Sequence, residues 1–185
     1  MDRQKYLADV VSHYHAFWNG NCRRLEMEKG PIHKLPPGFH VLEFLPGKKH
    51  GMWAYGSVGM SCEKHRQTIE LHMFSPYQTK RIVELLATVA SYHYNDASLG
   101  LNHRINFGEP WLEDSRCTKG LISLPYLDGP NFEILCLNRI HVGFYWLIPI
   151  TADEADFVNR EGIAKLEEKF KEQKIKFWEP KRESV

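Results

Sequence analysis

The chain has 185 residues, 43% of them apolar and 12% aromatic, which is enough for a core of its own and too little for two domains of ordinary size. Its 24 Lys and Arg stand against 23 Asp and Glu, a formal charge of +1, so no global field draws it onto phosphate backbones and nucleic acid is not an expected partner. The apolar content argues against general disorder, and no apolar run reaches the length of a membrane span.

The opening segment "MDRQKYLADVVSHYHAFW" lacks the succession of charged, apolar and small residues that marks a secretory signal, so a cytoplasmic, membrane-free protein is expected. Tyr6, Val10, Tyr14 and Phe17, with Leu7 and Val11, recur at helical spacing and predict an amphipathic helix covering a sheet. Asn19 to Asn21 would stop it, and the Pro- and Gly-rich stretch from Lys29 to Gly38 reads as a connecting loop. Three segments rich in branched and aromatic residues follow, "FHVLEFLP", "GMWAYGSVGM" and "QTIELHMF", and predict an antiparallel meander. The basic run Cys62 to Gln67 between the last two reads as a solvated loop.

The period then changes. Ile82, Leu85, Leu86, Val89 and Tyr92 mark one face of a helix for which Ser75 is the expected cap, with Pro76 in the first turn. Further strands are expected at "HRINFG", "GLISLPYL", "NFEILCL" and "IHVGFYWLIPI", the last apolar enough to be covered on both faces. Thr151 and Glu154 form a Thr-x-x-Glu capping box, and Ile163, Leu166 and Phe170 mark a second helix beyond it. The outline is an α+β sandwich, a mixed but mostly antiparallel sheet with packed helices, in one domain over 1–185: helix and loop at 1–38, sheet and helices at 39–178, and a short tail at 179–185 where solvation is expected.

Ten histidines raise the question of metal. His13 and His15 lie about 200° apart around a helix and cannot share an ion. Glu70 and His72 alternate on one face of a strand, but no third ligand is marked out, and the pair reads as a polar face in water. Four cysteines, Cys22, Cys62, Cys117 and Cys136, form no CxxC pair and read as reduced, idle thiols; pairing Cys117 or Cys136 with His141 singles out no dyad. "YGSVGM" around Ser57 lacks the spacing of a nucleophile elbow and reads as a strand bend. No phosphate-cradling glycine motif is present, so neither cofactor nor metal is expected.

The central stretch "LGLNHRINFGEPW" holds His103, Asn106 and Glu109, and each residue around them has a conformational reason to be there. Gly108 permits a positive φ, Pro110 extends Glu109, and Trp111 would bury a large ring at the corner. Asp128-Gly129-Pro130 is likewise turn chemistry between two strands, with Pro125 at an edge or bulge.

Together, "GLNHRINFGEPW", "LISLPYLDGPNFEIL" and "FYWLIPITADEADFVNREGIAKLEEKF" resemble the suppressor-of-fused domain family, specifically over Glu70 to Val185. The resemblance implies an α/β sandwich with a mixed sheet and no established enzymatic activity. It also implies a protein partner: animal members hold a transcription-factor peptide, added as a β-strand, between this domain and a second one that this chain is expected to lack, so that clamp is not transferred, and stand-alone bacterial relatives include immunity proteins that neutralise polymorphic toxins. The expectation is therefore a non-enzymatic module acting by steric occlusion. Candidate partner-binding residues are Trp53, Tyr55, Trp111, Tyr126 and Asp128. The alternatives are a cytoplasmic regulatory adaptor binding a transcription factor or other partner, and a hydrolase using His72 or His103 with Glu70 or Glu109.

Overall fold

Asp2 begins the first helix by accepting hydrogen bonds from the Gln4 and Lys5 amides, and α1 runs Arg3–Phe17. The computed structural model describes residues 2–27, 32–61, 67–138 and 140–185. Most of the basic run after Ser61 therefore lies outside the described residues. The chain continues through β1 (Cys22–Leu25), a 3-10 turn at Ile32–Lys34, β2 (His40–Phe44), β3 (Trp53–Val58), β4 (Thr68–Ser75) and α2 (Arg81–Asn95). It then forms β5 (Arg104–Asn106), β6 (Cys117–Ser123), α3 (Pro130–Glu133), β7 (Ile134–Leu137), β8 (Ile140–Thr151), α4 (Ala152–Glu161) and α5 (Ile163–Glu172).

The strands form one eight-stranded sheet in the order β1-β2-β3-β4-β8-β6-β5, with β7 pairing the start of β8. All neighbours are antiparallel except β4 and β8, where Ile69 faces Gly143 and Leu71 faces Tyr145 in a parallel ladder. Helices cover both faces. One layer, with α1, α4 and α5, closes over Phe44, Phe74, Phe144, Trp146 and Ile148. On the other, α2 lays Ile82, Leu85, Leu86 and Val89 on Val41, Tyr55, Leu71 and Leu147. The sheet is thus the middle layer, which explains why β8 is nearly all apolar. Gly56 lies where any Cβ would be 2.5 Å from the Tyr14 ring, so its missing side chain lets α1 settle onto β3.

Four details differ from the sequence expectation. Cys22–Leu25 is an edge strand, not part of a loop; its two arginines are exposed and its flanking residues half-buried. The second helix starts at Arg81, because Ser75 is still in the ladder opposite Trp53 and its hydroxyl closes a turn with Tyr77. Thr79 supplies the hydroxyl that accepts from the Arg81 amide. "NFE" after Pro130 is a helical turn, so the strand begins only at Ile134. The tail is not free in solvent: Arg182 is buried and forks onto Glu154, with Nη1 to Oε1 at 2.6 Å and Nη2 to Oε2 at 2.7 Å.

That fork ties the chain end to the capping box of α4. Glu154 accepts from the Thr151 amide and Thr151 Oγ1 from the Glu154 amide, as the Thr-x-x-Glu spacing predicts. Arg182→Ala leaves the Glu154 carboxylate enclosed without its cation and is expected to cost roughly 3–5 kcal/mol in urea unfolding. Arg116→Ala, which removes an exposed pair with Glu183, serves as control and is expected to cost no more than about 1 kcal/mol. Equal losses from the two would contradict the anchoring role.

Candidate functional site

The sheet ends on β5, and its backbone pattern leaves that edge open. Phe107 N donates to Thr118 O and His103 O accepts from Ile122 N, both at 2.9 Å. Bonding alternates along an antiparallel ladder, so Ile105 turns its peptide groups to Gly120 while Arg104 and Asn106 turn theirs away from β6. Among the described residues no backbone group pairs with them. A groove of about 560 Å³ wraps this edge. One wall is formed by Tyr92 of α2 with Ala97 and Leu99; the other by Lys119 of β6 with Ala155 and Asn159 of α4.

Asn106 Oδ1 accepts from the Gly108 amide, and Gly108 adopts φ +79°, so the corner after β5 turns as its sequence predicts. Trp111 is fully buried behind it. Glu109 is exposed and pairs with Arg81 at 2.7 Å, while His103 is exposed on the groove.

Glu70 and His72 lie elsewhere. Both are fully buried on β4, beneath α1, and are not on a water-facing surface. Since both faces of the sheet are covered, a shared strand face here means a shared interior. Glu70 accepts from Tyr6 Oη at 2.6 Å, Ser57 Oγ at 2.5 Å and the Gly59 and Met60 amides. Burial pushes its carboxyl up to about 7 against these four donors. Ser57 is an interior strand residue, and the bend belongs to Gly59 at φ +86°. The four residues of the hydrolase alternative are therefore divided between the interior and the surface, and do not converge.

His72 sits among the rings of Trp18, Phe74, Phe132 and Trp146, and neither ring nitrogen has a hydrogen-bond partner. Its Nε2 is 3.9 Å from Asp128 Oδ2, which is also unpartnered. The other carboxylate oxygen collects Trp18 Nε1 at 2.8 Å, Lys49 Nζ at 2.9 Å and His50 Nε2 at 2.9 Å. Asp128 thus joins the end of α1, the β2–β3 turn and the loop before α3. Burial raises its carboxyl, but His50, His72, Lys49 and Trp18 outweigh that and hold it down at about 2.

Of the five candidate partner-binding residues, the structure brings none to the β5 groove. Tyr55 and Trp111 are core, and the Asp128 side chain is enclosed. Trp53 is half-buried against the α2 layer. Tyr126 is 51% exposed, with its hydroxyl near Ser123. Cys136 and His141 do meet, Sγ to Nδ1 at 3.3 Å, across the β7–β8 hairpin on an exposed surface. Among the described residues no three His, Cys, Asp or Glu side chains form a group that could hold a metal ion. No helix among them is long and apolar enough to cross a membrane.

The suppressor of fused protein model matches residues 36–183. The chain belongs to the suppressor of fused family. A crystallised SUFU homolog from Neisseria gonorrhoeae is 33% identical, with a TM-score of 0.83 over 98% of this chain and 97% of its own. The Sufu–Fu complex gives a TM-score of 0.62 at 13% identity, over 89% of this chain and 82% of that one. Drosophila Suppressor of Fused gives 0.57 at 13% identity, over 83% of this chain and 43% of that one. No curated protein matches the chain. In this chain the sheet ends on β1 at one side and on β5 at the other, with Glu70, His72 and Asp128 set back from the β5 edge.

Burial lowers the His72 imidazole to about 4, with Asp128 opposing. Its folded-state affinity for a proton is below that of the unfolded chain, so the stability linked to it is present above about 6.5 and lost as pH falls toward 4. His72→Phe, which fits a ring into the same ring-lined site, is expected to melt no lower at pH 7 and to lose less stability than the parent between pH 6.5 and 4. Parallel melting curves for the two over that window would contradict the assignment.

Proposed function

We propose that this chain is a non-enzymatic protein-binding module of the cytoplasm, and that it is an immunity protein which neutralises a polymorphic toxin by covering the toxin's working surface. The observation that carries this is the open edge of β5. Two residues present unpaired peptide groups beside a groove with an apolar wall, which is the geometry that an added strand completes. Strand addition supplies main-chain hydrogen bonds, and pockets for alternate side chains supply selectivity. Family membership supports the protein-binding part, because a solved relative of this fold is the Sufu–Fu complex. The division of Glu70 and His72 from His103 and Glu109 supports the non-enzymatic part. Steric occlusion needs no reacting group on the immunity protein, only a stable scaffold and an edge.

A toxin encoded beside this gene is expected to co-purify with the protein and to lose its toxicity on co-expression. With Asn106→Ala as the control for the lost Oδ1 bond to Gly108, Asn106→Pro removes an amide that points away from β6, so it spares the ladder while denying one bond to an added strand. That variant is expected to bind about tenfold or more weakly, with its thermal midpoint within a few degrees of the parent. A neighbouring toxin that neither binds nor is neutralised contradicts the immunity reading. Undiminished binding by the variant contradicts the β5 edge.

A further inference from the structure

The two walls of the β5 groove differ in chemistry, and the difference has the period of a strand. Arg104 and Asn106 share a sheet face with Lys119, which is the cross-strand partner of Asn106. This is the α4 side: Arg104 Nη1 donates to Ala155 O at 2.7 Å, a neutral acceptor, and Asn159 completes the wall. Neither Arg104 nor Lys119 has a carboxylate partner among the described residues, and no Asp or Glu lines the groove. The acids of α4 do not compensate, since Glu154 is taken by Arg182, Glu161 by Lys165, and none of them lines the groove. On the opposite face Ile105 is half-buried against the α2 layer, and that wall carries Tyr92, Ala97 and Leu99. In a chain of nearly balanced charge, a groove with cations on one side and no carboxylate is a local departure.

We infer that the β5 edge selects an extended protein segment in which acidic and apolar side chains alternate, the acidic ones facing Arg104 and Lys119 and the apolar ones facing Ile105 and Tyr92. This rests on the proposed docking of a strand at β5 and adds its chemistry. Successive side chains of an added strand fall on opposite faces of the sheet, so a period of two sends one parity to each wall. The same cations would attract a single-stranded nucleic acid, but the outward peptide groups of Arg104 and Asn106 match the ladder of a polypeptide strand.

The test uses the full chain, labelled with 15N, and three capped ten-residue peptides at pH 7: alternating Glu-Val, alternating Gln-Val, and the five Glu and five Val in paired blocks. Alternating Glu-Val is expected to shift the Arg104, Asn106 and Lys119 amides and to bind about tenfold or more tightly than either other peptide, with affinity falling as salt rises. Lys119→Glu is expected to abolish the preference for Glu over Gln while leaving the protein's spectrum otherwise folded. Equal binding of the Glu-Val and Gln-Val peptides at these amides overturns the acidic selection and leaves strand docking standing. Equal binding of the blocked peptide overturns the alternation. If no peptide shifts the β5 amides, the inference and the docking reading fall together. Displacement of the Glu-Val peptide by an oligothymidylate of ten nucleotides at lower concentration overturns the choice of a polypeptide partner.

Discussion

The parallel pairing of β4 with β8 is the constraint on which the rest of the structure depends. It joins a meander made by the first half of the chain to a second set of strands made by the second half, and it lies at the centre of the sheet. A parallel pair needs a crossover, and here the crossover begins with α2, which covers one face. The opposite face at the same strands is closed by α1, α4 and α5. With both faces covered, β4 and β8 must be apolar or internally satisfied, and the edges of the sheet become the places where unpaired backbone can meet a partner.

Four buried carboxylates meet that demand for internal satisfaction: Glu43 takes Arg23 and Gln78, and each of the other three joins elements that are distant in the chain. Glu70 receives donors from α1, β3 and the turn after β3. Asp128 gathers Trp18, Lys49 and His50 onto the loop before α3. Glu154 holds the start of α4 and the chain end together through Arg182. Hydrophobic burial supplies most of the free energy of such a core, whereas these carboxylates fix where the helices stop and how the loops close over them.

Much of this architecture is legible in the amino-acid sequence. The apolar run of β8, the Thr151 and Glu154 box, the α2 stripe and the Gly108 corner are local signals, and local physics decides them. β1 escaped because four residues with two arginines carry too little pattern, and its strand state comes from pairing with β2. Glu70 and His72 were legible as sharing a face, but which face is buried depends on where the helices pack. Asp128 reads as turn chemistry; its role as a hub depends on Trp18, Lys49 and His50, none of them near in sequence. The opening at β5 follows from the bonding parity of Phe107 and Thr118, which no residue type announces. The groove cations, exposed Arg104 and half-buried Lys119, look like ordinary surface charges until the register sets them on one face.

On the proposed reading, function lies at an edge whose backbone is incomplete, while Glu70 and His72 stay buried away from it. Amide hydrogen exchange, compared between the free protein and its complex with the proposed toxin partner, tests that most directly. The Arg104 and Asn106 amides point away from β6 and are expected to exchange fast in the free protein and to slow by about a hundredfold or more in the complex, as an added strand closes the ladder. Protection that appears only elsewhere, on β7 or around Tyr126, with Arg104 and Asn106 still exchanging as in the free protein, would contradict it.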